Sequence, residues 1–171
     1  MSNKIDGDNV VLTGEIRWAV VPPYSQPQKV FKPKKGQENN THYSIEVECD
    51  RDFHDELLDN GLSSLATLKK DDETKKRYLR LKSPKINGKW TGPDPEVVDS
   101  KGNPITVPIA NGSTAEVHAK FERWTYEGTN VVSLRFNKVV VTNLIEFVKE
   151  EGNPNEQAEA HAQDLNPSES W

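Results

Sequence analysis

The amino-acid sequence predicts a mainly β fold, a mostly antiparallel barrel or sandwich with one helical insertion. Segments in which apolar and polar residues alternate recur along the chain, whereas helical periodicity is confined to residues 50–70. The chain contains 11 prolines and 10 glycines, which favour turns over long helices. Its 171 residues suffice for one domain with a core, and a five-stranded Greek-key barrel has a suitable size. Periodicity alone does not distinguish a barrel from a sandwich.

The first two predicted strands lie on either side of a proline-rich loop. Residues 1–8 are predicted to be a disordered arm. The β-branched run Val10–Val21 predicts a strand, and the prolines that follow exclude regular structure up to about Thr41. The alternation within this strand separates two faces, with Ile16, Trp18 and Val20 on one and Arg17, Ala19 and Val21 on the other. His42–Cys49 predicts the second strand.

A helical segment is predicted after the second strand. Apolar residues recur at helical spacing between Asp50 and about Lys70, and Asn60-Gly61 interrupts them. These residues are Phe53, Leu57, Leu58, Leu62, Leu65 and Leu68. Asp50 or Asp52 can cap the first turn. The pattern predicts one broken helix or two short ones.

The remainder of the domain is predicted to consist of strands and turns. The predicted strands are Lys76–Ser83, Val97-Val98, Ile105–Ile109, Ala115–Trp124 and Val131–Val141. Asp99–Asn103 is the predicted turn of one hairpin, and Glu127-Gly128 joins the last strand pair. Asn143–Phe147 closes the domain. A single domain over residues 9–147 is therefore expected, followed by a disordered tail over residues 148–171.

The charges are distributed unevenly between domain and tail. The chain has 22 basic and 27 acidic residues, a net charge of −5. No Lys or Arg follows Lys149, and the six acids after it are Glu150, Glu151, Glu156, Glu159, Asp164 and Glu169. Residues 1–149 consequently carry 22 basic and 21 acidic residues, a net charge of +1. Such asymmetry suggests that the tail competes with, or adds to, the ligand that the domain binds.

Two segments contain many cations and aromatic rings but no acid. Residues 74–93 include seven basic residues, and alternation places Leu79 and Leu81 on one side of the strand and Tyr78, Arg80 and Lys82 on the other. Residues 16–37 repeat the pattern within and after the first strand. Cations that contact phosphates, combined with rings that stack on unpaired bases, are typical of single-strand binders. A solvated lysine face and a flexible loop are the alternatives.

The residues predicted to bind single-stranded nucleic acid come from these two segments. They are Arg17, Lys32, Lys34, Lys35, Lys76, Tyr78, Arg80, Lys82, Lys85, Lys89 and Trp90. The tail supplies a second predicted site, because it ends in Ser-Glu-Ser-Trp171 and this ring has no core to enter. Glu169 and Trp171 are predicted to dock on a partner protein. An accidental terminus is the alternative.

Enzymatic and metal-binding classes find little support in the sequence. Cys49 lies between Glu48 and Asp50, which would raise rather than lower the pKa of a thiol. The four histidines lack metal-ligand spacing, and neither a GxxxxGK[ST] loop nor a GxSxG motif occurs. We therefore expect no enzyme, no cofactor and no metal site. The lone cysteine, the polar N-terminus and the lack of a long apolar run predict a reducing compartment without membrane insertion.

One segment resembles a known protein family. Glu96-Val-Val-Asp-Ser-Lys-Gly-Asn-Pro-Ile-Thr-Val-Pro-Ile-Ala-Asn-Gly-Ser113 resembles a stretch of the short-tailed bacteriophage single-stranded DNA-binding proteins. Phe31–Val47 is similar to that family as well, as is the order of domain and acidic tail with a terminal aromatic. The resemblance implies an OB-fold that binds single-stranded DNA in phage replication, recombination and repair, in the cytoplasm of the infected host.

The resemblance also implies partners and further site residues. It implies a dimer whose tail contacts the phage DNA polymerase and the primase-helicase. Tyr43 matches a family tyrosine near the DNA groove, and Trp171 takes the place of a terminal phenylalanine. This tail is less densely acidic than is usual in the family, and the linker between helix and third strand differs. The competing hypotheses are a virion or adaptor protein whose basic face binds protein, and an inhibitor that mimics DNA.

Overall fold

Ten strands and one helix make up the part of the chain that the computed structural model describes, namely residues 3–30, 32–64 and 66–146. In chain order they are β1 (Lys4–Asp6), β2 (Asn9–Val20), β3 (Gln28–Lys29), β4 (Thr41–Glu48), α1 (Arg51–Asp59), β5 (Leu68–Lys70), β6 (Arg77–Asn87), β7 (Trp90–Thr91), β8 (Glu96–Asp99), β9 (Thr114–Tyr126) and β10 (Thr129–Asn143). No described helix is long and apolar enough to span a bilayer.

The five long strands close into a barrel. Their hydrogen-bonded order is β2–β4–β6–β10–β9, and β9 pairs with β2 again. The neighbours are antiparallel except β6 and β10, which run parallel where Arg135 lies opposite Lys82. This closure through β2 and β4 excludes the sandwich and confirms the OB-type Greek-key barrel with one helical insertion.

Alternation along the five strands fills the barrel with apolar side chains. Leu12 and Ile45 are fully buried, and Leu79, Val117 and Phe136 complete the same cluster from the other three strands. Burying a side chain of this size stabilises the fold by about 1.5–3 kcal/mol. The apolar residues thus face inward, and the polar residues between them form the outer surface.

Helix α1 closes one end of the barrel. The carboxylate of Asp50 accepts a hydrogen bond of 2.7 Å from the backbone N–H of Phe53, which confirms Asp50 as the N-cap. Phe53 and Leu57 are buried. The prediction that helix continues beyond Asn60 is wrong for the described residues, because Gly61 adopts a φ of +106° and ends it. The segment around Leu68 instead forms β5 and pairs with β6.

The predicted alternation of β2 fails beyond Arg17. Trp18 has a φ of +52°, and the pairing with β4 shifts between Arg17 and Val20. This irregularity reverses the side-chain pattern, because one inserted residue exchanges the two faces of a strand. Ala19 and Val21 consequently join Ile16 in the core, although alternation predicts them on the opposite face.

Three further segments can be compared with their predictions. The structure differs from the predicted arm over residues 1–8, since Lys4–Asp6 pairs antiparallel with β2. The predicted hairpin around Asp99–Asn103 is only rudimentary, because β8 pairs in parallel with β10 and a single bridge joins Val98 to Pro104. The hairpin at Glu127-Gly128 is confirmed, with positive φ at both residues. Phe147 and the predicted tail over residues 148–171 lie outside the described residues.

Candidate nucleic-acid interface

The outer surface of β4 and β6, with the adjoining parts of β2 and β10, carries most of the predicted site. We call this surface the β4–β6 face. OB-folds bind oligonucleotides on the face of their second and third barrel strands, which here are β4 and β6. Leu79 and Leu81 point into the core, whereas Tyr78, Arg80 and Lys82 lie on the opposite side of β6, as the alternation predicts.

One row of charged residues crosses the face from β2 to β6. Arg17 lies opposite Glu46, and Glu46 lies opposite Arg80. The Arg17 guanidinium contacts Glu46 Oε1 at 2.7 Å and Asp71 Oδ2 at 3.2 Å, and its Cζ lies 4.0 Å from the Tyr78 ring centroid. Glu46 is only 1% exposed. Since two carboxylates neutralise Arg17, this end of the face attracts phosphate weakly.

A second row of residues crosses the β4–β6 face from β4 through β6 to β10, and it contains two cations. Ser44 lies opposite Lys82, and Lys82 lies opposite Arg135 of β10. These three residues include no acid, and Arg135 Nη1 contacts Glu122 Oε2 at 3.8 Å. Lys82 is 7% exposed. The two cations thus lie on adjacent strands, with Lys82 largely covered.

The pKa of His42 is affected by the positive charges on this part of the β4–β6 face. Burial first, and then the positive charges of Lys82 and Arg80, lower the pKa of His42 well below its usual value. Its Nε2 atom is buried and has no hydrogen-bond partner among the described residues. The imidazole is therefore neutral at pH 7, and the charge of this region comes from the lysine and arginine side chains.

Two tryptophans contact residues of β10 on the outer side of the barrel. Trp90 is 44% exposed, and Arg135 Cζ lies 5.0 Å from its ring centroid. The Trp124 indole N–H donates a hydrogen bond of 3.1 Å to Ser133 Oγ, two residues before Arg135 on the same side of β10. An exposed ring beside a cation is a combination that suits stacking on unpaired bases.

Arg135 and Trp124 are candidate site residues that the sequence-based prediction missed. Arg135 is one of two cations in the otherwise mostly apolar strand Val131–Val141, and Trp124 ends the strand that pairs with it. The alternation of the predicted strand does place Ser133 and Arg135 on one face. The missing information was the closure that puts β10 beside β6.

Two solved structures share this architecture. The single-stranded DNA-binding protein from bacteriophage Enc34, in complex with ssDNA, matches with a TM-score of 0.52 and 9% identity, over 82% of this chain and 89% of that chain. The single-stranded DNA-binding protein gp2.5 of bacteriophage T7 matches with a TM-score of 0.50 and 16% identity, over 92% and 96%. This chain has the fold of phage single-stranded DNA-binding proteins. Its sequence matches no family model and no curated protein.

Within this phage DNA-binding fold, the acid-free segments of the sequence do not form an acid-free surface. Lys76 Nζ contacts Glu15 Oε1 at 2.6 Å, and the Tyr78 hydroxyl donates to Glu15 Oε2 at 3.3 Å. Lys85 Nζ contacts Asp94 Oδ1 at 2.8 Å. Glu15 comes from β2 and Asp94 from the loop that directly follows the acid-free segment, so the composition of that segment alone does not predict the charge of the assembled surface.

Two predicted aromatic residues are less accessible than expected. Tyr78 is 4% exposed and lies under the Arg17 guanidinium. Burial first, and then the charge of Glu15, raise the pKa of Tyr78. Tyr43 is 5% exposed and belongs to the core cluster on the inner side of β4, so the structure does not bring it to the β4–β6 face.

The remaining predicted residues lie around the face or outside the described chain. Lys32, Lys34 and Lys35 are exposed in the loop between the first two barrel strands, and Lys89 is exposed in the turn between β6 and β7. Lys34 Nζ contacts Glu127 Oε1 at 3.4 Å, which joins this loop to the β9–β10 hairpin. The loop between the first two barrel strands and the hairpin between the last two flank the ligand in OB-folds. Glu169 and Trp171 lie outside the described residues.

Chemically reactive groups are scarce in the described part of the chain. Burial first, and then the charge of Asp50, raise the pKa of Cys49 to about 12, so the thiol stays protonated at neutral pH. The predicted increase in the pKa of Cys49 is confirmed, although burial contributes more to it than the charge of Asp50. No group of three or more candidate metal ligands occurs among the described residues.

Proposed function

We propose that this chain is a non-catalytic single-stranded DNA-binding protein that binds without sequence specificity across the β4–β6 face. The observation that supports it most is the position of Arg135 beside the exposed ring of Trp90, with Lys82 opposite Arg135 on β6. The two cations contact phosphates, and the ring stacks on a base, which stabilises the complex by about 1–3 kcal/mol per base. The shared fold with a phage protein solved in complex with ssDNA supports the same ligand.

The charge distribution supports a single strand over duplex DNA. Helix α1 is the one helix among the described residues, and it carries four acids, Asp52, Asp55, Glu56 and Asp59. Such a helix is repelled by the phosphates that line a major groove. The tryptophans, by contrast, require bases that are not already paired and stacked. The barrel therefore offers a surface for unpaired bases and none for groove readout.

The exposed ring of Trp90 and the neighbouring Arg135 define the proposed path of the single strand, because the guanidinium lies 5.0 Å from the ring centroid. Lys82 and Arg80 lie beside this path on β6. Lys32, Lys34 and Lys35 of the proline-rich loop flank one side of the path. Lys89 contributes from the β6–β7 turn.

The biological setting follows from the ligand. We propose a role in phage DNA replication, recombination and repair in the cytoplasm of the infected bacterial host. The acidic tail, with Glu169 and Trp171 at its end, docks on the phage DNA polymerase and primase-helicase. A homodimer is part of the same proposal.

A fluorescence titration with oligo-dT tests the ligand. Binding should quench tryptophan emission, because Trp90 is exposed and stacks on bases, and the affinity should fall steeply as salt increases. A duplex of equal length should bind more weakly, and oligo-dA should bind within about tenfold of oligo-dT, since stacking tolerates every base. Equal affinity for duplex and single strand would contradict the proposal.

The alternative of a virion or adaptor protein rests on one observation. Arg17, Lys76 and Lys85 are all paired with carboxylates, as cations at a protein interface often are. The same titration separates the two hypotheses. An adaptor protein should show no quenching by oligo-dT, whatever the salt concentration.

A further inference from the structure

Trp90 rests on a loop that is bound to the barrel at several points. The loop is the segment between Lys85 and Asp94, and β7 within it pairs with the end of β6. The backbone N–H of Gly92 donates to the Lys85 carbonyl at 2.8 Å, and Lys85 Nζ donates to the Gly92 carbonyl at 3.2 Å. Residues 85 and 92 are therefore joined by two hydrogen bonds of opposite direction.

The Trp90 ring packs directly on Gly92. A Cβ atom at position 92 would lie 2.3 Å from Trp90 Cη2 and 2.7 Å from the Pro84 carbonyl oxygen. Neither distance is compatible with a side chain, so glycine is required for the observed ring position. Arg135 Cζ lies 5.0 Å from the centroid of the same ring. The indole thus has both a backbone surface and a guanidinium group as close neighbours.

An ion pair holds the far end of the loop. Lys85 Nζ contacts Asp94 Oδ1 at 2.8 Å, and both side chains are partly exposed. The Tyr43 hydroxyl also faces Asp94. Burial first, and then the charge of Asp94 and a hydrogen bond to it, raise the pKa of Tyr43. Pro93 and Pro95, on either side of Asp94, restrict the backbone further.

We propose that Gly92 and the Lys85–Asp94 ion pair form a clamp that holds Trp90 over Arg135 as a preformed stacking platform. Lys85 then acts as a positioning residue and not as a phosphate contact, because its ammonium group is occupied by Asp94 and the Gly92 carbonyl. Tyr43 supports Asp94 from the core. Preforming the platform lowers the entropy lost on binding. The consequence for affinity rests on the proposed function, whereas the clamp itself exists without DNA.

The test compares five variants of the full chain labelled with 5-fluorotryptophan. Gly92→Ala, Asp94→Asn and Lys85→Met each disturb the clamp, and Lys89→Met removes a cation of the same loop that the clamp does not use. Trp90→Phe identifies the ¹⁹F resonance of Trp90. The clamp variants should shift or broaden that resonance in the free protein and leave the other tryptophans unchanged. Lys89→Met should leave it unmoved.

Binding to oligo-dT provides the second measurement. The clamp variants should lose about tenfold in affinity with an unchanged salt slope, as loss of stacking predicts. Lys89→Met should reduce the slope by about 0.7. In a Trp90→Phe background the clamp variants should have no further effect. A reduced slope for Lys85→Met with an unmoved Trp90 resonance would overturn the proposal.

The two measurements distinguish a failure of the clamp proposal from a failure of the proposed function. If the parent protein does not bind oligo-dT, the proposed function fails, and the ¹⁹F spectra still test the clamp. If Gly92→Ala does not fold, Asp94→Asn provides the same test with an almost isosteric side chain. An unmoved Trp90 resonance in both Asp94→Asn and Lys85→Met would refute the clamp.

Discussion

Replacing Lys82 and Arg135 together by methionine should weaken oligo-dT binding by roughly 100-fold at low salt. In the proposed complex each side chain supplies a charge-assisted hydrogen bond to phosphate, and removing one such bond costs at least about 1.4 kcal/mol, a factor of ten. The slope of log affinity against log salt should fall by about 0.7 for each phosphate that the protein no longer neutralises. A titration at several salt concentrations measures both quantities.

Lys138→Met is the matched control for this double variant. Lys138 lies on β10, beyond the irregularity that follows Phe136, and it pairs with Glu96 of β8, away from the β4–β6 face. Its replacement should leave the slope nearly unchanged. Arg17→Met should also have a small effect on the slope, because Glu46 and Asp71 already neutralise Arg17. A double variant that keeps the parent slope would exclude the row as the phosphate site.

Removing residues 150–171 should tighten oligo-dT binding by about tenfold at low salt. The removed segment contains six acids and no base. An exposed ion pair contributes only about 0–1 kcal/mol, but several on a tethered chain benefit from a high effective concentration. The gain should vanish at high salt, where the ion pairs are screened. Titration of the full and truncated chains under both conditions measures it.

The exit point of the tail supports this competition. The Ile145 N–H donates to Ser113 Oγ at 2.9 Å, and the Ile16 N–H donates to the Ser113 carbonyl at 2.8 Å. The chain therefore leaves the barrel beside residue 16, next to Arg17. The 25 residues after Glu146 span up to about 80 Å when extended, several times the distance that a barrel of this size requires.

Replacing only Trp171 by alanine separates the two roles of the tail. DNA affinity should remain nearly unchanged, because the acids are retained, whereas binding to the replication partner should weaken as the aromatic anchor is removed. If truncation leaves DNA affinity unchanged at low salt, the tail is a docking peptide only.

The elements that bury one face could be predicted from the sequence. Alternation along β6 placed Leu79 inward and Arg80 and Lys82 outward, and the Asp50 cap marked the start of α1, because these patterns depend on local geometry. The reversal at Trp18 could not be predicted, since a β-bulge depends on the partner strand. The same holds for β8, whose parallel pairing with β10 leaves no local signal.

The charge of the site depended on long-range pairing and was predicted only in part. The acid-free run around Arg80 indicated a cationic surface, yet Glu15 and Glu46 reach it from distant strands and Asp94 from the loop that directly follows the run. Arg135 was missed because its position beside Lys82 depends on the pairing of β10 with β6. Tyr43 was assigned by its resemblance to a family residue, and the inward side of β4 places it in the core instead.

Amide and indole NMR shifts on addition of oligo-dT test the central claim most directly, because they show which residues respond to a single strand. The largest changes should occur at the indole N–H groups of Trp90 and Trp124 and at the amides of Lys82, Ser133 and Arg135. Changes concentrated in α1 or in the Asp99–Asn103 turn, with the β4–β6 face unaffected, would contradict it.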